Sequence, residues 1–358
     1  MSLLDELKSI AQDKGALVGG LEGKKILIYG SNDCGKTYQS MHLDKPLLLM
    51  TESGGGALSN RKKSISTWSA FCQMVETLAG KHYEEMKKLF STIIIDTAEN
   101  LVDLSEKSTC NEFGVRDLSE IQGRQNGYKI SRNNFSAQIN KLTSQGYCVV
   151  FISHEETVER TDPVTNEKYS YVQPKGTSNE KSSMRMLRDL CDFAIYVRPN
   201  GIDPSTYETI PSTAICKETK TSFARSRFAM QTFIDPFTAE GLKEAIEKAI
   251  EKSAENEGVD VEKYKQKKES YTKQDYFDMI APYVKRLSKN FANEISNIIE
   301  SELGEGRKIT SADDDEIINL DNIYNRLVTL ATSLDITVWV HKNIIANYLA
   351  TLMLCRSG

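Results

Sequence analysis

Lys25-Ile26-Leu27-Ile28-Tyr29-Gly30-Ser31-Asn32-Asp33-Cys34-Gly35-Lys36-Thr37 is an apolar run that breaks at glycine and restarts at Lys-Thr. Gly30, Gly35, Lys36 and Thr37 fill every fixed position of the pattern G-x-x-x-x-G-K-[ST]. A polyphosphate needs several converging backbone N–H donors, and only a tight, glycine-bounded loop lets the backbone approach it that closely. Gly30 and Gly35, with Ser31, Asn32, Asp33 and Cys34 between them and Lys36, Thr37 and Tyr38 after them, are therefore the candidate phosphate cradle. Lys36 is spaced to reach the β- and γ-phosphates. The Thr37 hydroxyl is spaced to ligate Mg²⁺ from the first turn of a helix whose positive end faces the ligand. The pattern needs a strand before it, and Ile26 to Tyr29 supplies one. A chance match in a surface turn is the alternative. The expected ligand is ATP with Mg²⁺.

Outward from this stretch, further apolar runs end in polar residues. Pro46-Leu-Leu-Leu-Met50 closes with Thr51-Glu52 before a glycine-rich turn. Ile93-Ile-Ile95 closes with Asp96, the pattern of a strand whose terminal acid supports the metal. Tyr147 to Ser153 closes with His154, and Phe193–Val197 and Ser212–Cys216 read as further strands. Helical stretches at 69–89, 131–144 and 238–252 alternate with them. The fold class is therefore α/β, with a mostly parallel central sheet flanked by helices. Glu52, Asp96 and His154 should then share the edge where such sheets bind ligands. Asp96 is followed by Thr97 and Ala98 rather than by a glutamate, so the group that orients the attacking water must come from elsewhere. Glu52 is the first candidate and Glu99, roughly one helical turn beyond Asp96, the second. A turn acid serving only the glycine-rich segment is the other reading of Glu52.

At 358 residues two domains are expected, and a net charge of −5 gives no whole-molecule argument for binding nucleic acid. Leu3, Leu4, Leu7 and Ile10 predict an N-terminal helix within 1–20, and the core should cover 21–252. Residues 253–273 read as a charged, solvated linker or exposed helix, and 274–358 as a mainly helical domain with Phe277, Ile280, Val284 and Leu287 on one face and an acidic run at 313–316. Asn100 to Arg132 reads as loop with short helices, and Glu155 to Lys175 as a hairpin or mobile loop. The cysteines form no C-x-x-C pair and one lies inside the cradle, which suits reduced thiols in a cytoplasm. No signal-peptide pattern is visible, and no uninterrupted apolar run is long enough to span a bilayer.

A phosphate loop, a glutamate ending the next strand, an acid-terminated strand and a polar cap on the following one together resemble the RecA-like ATPase core, over about Leu21 to Ile234. More narrowly, Lys45 to Gly55, Ile93 to Thr97 and Val150 to Glu155 resemble the bacteriophage ATP-binding recombination proteins of the Sak single-strand-annealing group. The resemblance implies a homo-oligomeric ATPase, with nucleotide at the subunit interface, acting on single-stranded DNA in the host cytoplasm. It implies that His154 senses the γ-phosphate for the 155–175 loop, and that Arg225 and Arg227 complete a neighbour's site. A hydrogen-bonded sheet-end histidine and a solvated basic edge are the plain alternatives. For DNA contact, Arg116, Arg124, Tyr128, Lys129 and Arg132 form one set, and Arg160, Lys168, Tyr169, Tyr171 and Lys175 another. Both combine rings and cations that suit stacking and phosphate neutralisation. A nucleotide-gated scaffold with a protein partner on the C-terminal domain, or a helicase-like motor, would share the same core.

Overall fold

The computed structural model describes residues 15–52, 61–80, 82–121, 126–179, 182–264, 273–288, 290–313 and 316–333. The chain divides into two compact units, Met1–Lys267 and Lys268–Gly358. The first opens with β1 (Ala16–Val18) and β2 (Lys25–Tyr29), and continues through α1 (Lys36–Ser40), β3 (Pro46–Met50), β4 (Lys62–Ser64), α2 (Trp68–Ala79) and α3 (Tyr83–Leu89). After β5 (Thr92–Asp96) come α4 (Ala98–Phe113), α5 (Gly127–Ser144), β6 (Cys148–Ser153), the hairpin β7 (Glu155–Thr161) and β8 (Lys168–Pro174), and α6 (Ser183–Leu190). The unit closes with β9 (Phe193–Arg198), β10 (Thr213–Ile215), β11 (Arg225–Ser226), β12 (Phe233–Ile234), α7 (Ala239–Glu257) and β13 (Asp260–Glu262).

The main sheet has nine strands in the order β12-β10-β9-β2-β6-β5-β3-β4, with β11 paired to β9. From β9 to β4 the pairings are parallel, and β10, β11 and β12 join antiparallel. Helices cover both faces, which is why the central strands read as unbroken apolar runs rather than as alternations. Successive side chains still point to opposite sides. Ile26, Ile28, Leu48, Ile94 and Val150 pack with Leu242, Ile246 and Ile250 of α7 on one face. Leu27, Leu49, Ile93, Ile95 and Phe151 pack on the other with Phe71, Leu101, Phe135 and Leu187, from α2, α4, α5 and α6. Each such side chain, fully buried, contributes about 1.5–3 kcal/mol, and the parallel strands hold their C-terminal ends at one edge.

Several segments differ from the sequence expectation. Residues 98–113 are a continuous helix rather than loop, and α5 begins at Gly127. After Leu101 and Val102, the buried stripe of α4 continues with the small residues Ser105, Thr109 and Cys110, which carry little apolar signal between them. At the start of 253–273, α7 runs on to Glu257, and Ser253 and Ala254 are buried rather than exposed. There Ser253 Oγ accepts from Ala229 N at 2.8 Å. Beyond it, β13 pairs in parallel with β1, so Ala16–Val18 is a strand and not the end of an N-terminal helix. Residues 1–14, Gly54 to Gly56 and 265–272 lie outside the described residues.

The second unit is helical, with α8 (Lys273–Leu287), α9 (Ala292–Leu303) and α10 (Ile317–Ser333). Tyr276, Ile280, Leu287, Ile298, Leu320, Ile323 and Leu327 share one buried cluster. Arg307 clamps Glu316 through two bonds of 2.7 Å, so that end of the acidic run is held internally. Among the described residues, no helix is long and apolar enough to cross a membrane.

Candidate active site

The loop from β2 to α1 depends on glycine twice. A β-carbon at Gly30 would lie 2.3 Å from the Val197 carbonyl oxygen, and Gly35 adopts φ 86° as the residue preceding α1. Lys36 is buried, and its ammonium donates to the carbonyls of Gly30, at 2.9 Å, and Ser31. The Cys34 thiol donates to Ser31 O at 3.0 Å, and burial pushes it above its ordinary pKa. Tyr38 stays exposed, its ring 4.5 Å from that of His42.

Thr37 Oγ1 donates to Asp96 Oδ2 at 2.7 Å, joining the loop to the end of β5 across 59 positions of sequence. Burial pushes the Asp96 carboxyl above its usual range, and the bond from Thr37 draws it back. Paired hydroxyl and carboxylate oxygens at the foot of a phosphate loop fit Mg²⁺, which is held by one or two carboxylates together with substrate phosphates. Among the described residues, no group of three or more His, Cys, Asp or Glu offers an all-protein metal cage.

A lattice of hydrogen bonds fixes the neighbouring strand ends. Thr51 N donates to Asp96 O at 2.8 Å, Thr51 Oγ1 donates to Thr97 O at 2.9 Å, and Thr97 N donates back to Thr51 Oγ1 at 2.8 Å. Glu52 Oε1 accepts from Thr97 Oγ1 at 3.2 Å and from Asn100 Nδ2 at 3.0 Å. Glu52 thus stands over the Asp96 end while remaining solvent-exposed. The loop residues Asn32 to Tyr38, with Glu52, Asp96, Thr97, Ser153 and His154, line one cavity of 560 Å³. Gly30 and Ser31, which follow β2, supply the carbonyls that hold Lys36.

His154 enters the cavity from the end of β6, which the strand order places between β2 and β5. Glu99, in the first turn of α4, is not among the residues lining the cavity. It is buried, and its Oε1 accepts from His154 N at 3.2 Å and lies 2.6 Å from the His154 ring nitrogen Nδ1. The His154 carbonyl accepts from Lys175 N at 2.9 Å, so the hairpin leaves and returns at this residue.

Arg225 and Arg227 are not brought to this cavity. β11 pairs with the N-terminal end of β9, where Arg225 donates to Asp189 O at 3.1 Å and Arg227 lies 3.5 Å from Asp192. In the hairpin, Tyr171 is fully buried and donates to Glu218, and the Arg160 guanidinium stacks over its ring at 3.3 Å. Those two residues are engaged within the chain, because the strand alternation turns them inward. Arg132 donates to Tyr128 O at 3.1 Å, and Arg124 lies outside the described residues. Thr51, Thr97 and Asn100 are site residues that the sequence reading misses. Their only signal is adjacency to Glu52 and Asp96, and the expectation of a loop from Asn100 onward hides it.

Residues 22–228, more than half of the chain and all of the cavity, match the AAA domain family. The SPbeta prophage-derived uncharacterized protein YorG of Bacillus subtilis (strain 168) is 31% identical over 299 residues, which cover 81% of this chain and 88% of that protein. With the phosphate loop, the acid-ended strand beside it and a family match over both, the chain belongs to the AAA domain family of P-loop NTPases.

Proposed function

We propose that this chain is a Mg²⁺-dependent ATPase that works on single-stranded DNA in phage recombination or annealing, assembled as a homo-oligomer. The observation that carries the ATPase reading is the convergence of Lys36, Thr37, Asp96 and Glu52 on one cavity, with Thr37 and Asp96 in direct contact. The DNA reading rests on the sequence resemblance and is supported by the prophage origin of the relative.

Binding starts with Lys36 exchanging its carbonyl partners at Gly30 and Ser31 for phosphate oxygens, while the loop's N–H groups turn to the same ligand. Thr37 and Asp96 would hold Mg²⁺, which supplies charge neutralisation across the β- and γ-phosphates. Glu52, held by Thr97 and Asn100, orients the attacking water and takes its proton. The water oxygen bonds to the γ-phosphorus as the bond to the β–γ bridging oxygen breaks, giving ADP and phosphate. Arg225 and Arg227 join this chemistry only where a second copy presents its opposite sheet end to the cavity.

The test is ATP turnover with and without Mg²⁺ and single-stranded DNA, read with mass in solution. Mg²⁺-dependent turnover, salt-sensitive strand binding and a nucleotide-dependent rise in mass are expected. Turnover with no strand binding would remove the DNA reading, and absence of nucleotide binding would remove the whole proposal.

A further inference from the structure

We infer that Glu99 is a positioning residue, which fixes His154 so that one defined ring nitrogen faces the phosphate cavity. The inference rests on the ATPase reading of that cavity and concerns a residue outside its lining. Glu99 Oε1 lies 2.6 Å from His154 Nδ1 and 3.2 Å from His154 N, so one carboxylate oxygen holds both the ring and the backbone of the residue that ends β6. A carboxylate only accepts, so a contact of this length places the proton on Nδ1. Nε2 is then the nitrogen left for the cavity that His154 lines.

The site is built at a cost. Glu99 is 8% exposed, and its second oxygen, Oε2, is buried and finds no partner among the described residues. An amide at this position could accept the same two bonds with a smaller desolvation penalty. What the carboxylate adds is an oxygen that accepts and has no donor form like an amide's N–H, which favours Nδ1–H over the other tautomer. Packing alone explains neither the choice of an acid nor its orphaned atom. Glu99 does not line the cavity, and its Oε1 is already engaged by His154.

Three elements meet here. Glu99 follows Asp96 on the first turn of α4, His154 ends the strand between β2 and β5, and Lys175 N closes on the His154 carbonyl. A ring held this way presents the same nitrogen at every turnover, and Glu99 acts on the reaction only through it.

The test uses the full chain with ¹⁵N-labelled histidine, of which there are four, with His154→Gln assigning the signal. In the wild type, Nδ1 of His154 is expected to be protonated, and in Glu99→Gln the tautomer mixes. Glu99→Gln should lower kcat on the order of 10–100-fold, by analogy with the loss typical when the partner that orients a metal-ligating histidine is removed. KM for ATP should change far less, and the pH–rate profile should shift. An unprotonated Nδ1 in the wild type overturns the inference. So does a Glu99→Gln protein with wild-type kcat and pH profile. If the wild type shows no turnover, the ATPase reading fails instead, and the tautomer spectrum still decides whether Glu99 sets the ring.

Discussion

The two ends of the central sheet both carry charged side chains and put them to different uses. At the C-terminal ends of β3, β5 and β6, Glu52, Asp96 and His154 hydrogen-bond with groups around a cavity that also takes in the phosphate loop. At the opposite end, Arg225 and Arg227 donate to the Asp189 carbonyl, with Arg227 also reaching Leu190 O, at the end of α6. Helices leave their last carbonyls without internal partners, and arginines there fill a structural need. The strand ends near the loop meet the N-terminus of α4 instead, where Thr97 and Asn100 hold Glu52 and Glu99 holds His154, and Glu52, Asp96 and His154 still line a ligand-sized space. The difference shows that a charged residue after a strand is informative only once its end of the sheet is known.

Replacing Glu52 by Gln tests the first end most severely. It should lower kcat on the order of 10²–10⁴-fold while ATP binding survives, measured by single-turnover kinetics and calorimetry. Turnover near the wild-type rate would mean that the exposed carboxylate serves only Thr97 and Asn100. Lys36→Ala should cost on the order of 10²–10³-fold in kcat and weaken binding as well, because the cavity loses its buried cation.

The second end is tested by Arg225→Ala combined with Arg227→Ala. Both arginines are partly exposed, so the expected loss is about 1 kcal/mol of stability by chemical denaturation, with turnover per site unchanged. A fall of about a thousandfold or more in turnover, with assembly intact, would break the contrast and place that end in a neighbour's site. The smallest effect concerns the hairpin. Tyr171→Phe removes the bond to Glu218 and should cost about 1 kcal/mol while leaving strand binding unchanged, since the ring is buried. Loss of strand binding would return Tyr171 to the set of stacking residues.

How much of the site was legible depends on how local each feature is. The cradle could be read because its geometry is written in thirteen consecutive residues, Lys25 to Thr37, where two glycines and a terminal Lys-Thr have few other uses. The parallel sheet could be read because strands covered on both faces must be apolar throughout. Helix α4 was missed because its buried stripe holds serine, threonine and cysteine, and with it went the roles of Asn100 and Glu99.

By itself, the sequence determined the phosphate loop, the α/β class and the set of strands ending in polar residues, since each depends on backbone needs met by neighbouring positions. Only the tertiary structure decided that Glu99 belongs to His154, 55 positions away, that Glu52 leans on Thr97 and Asn100, and that the arginine pair sits at the far end of the sheet. Those assignments depend on strand order and helix placement. Both are set by the packing of the whole core, and no short stretch of residues carries them.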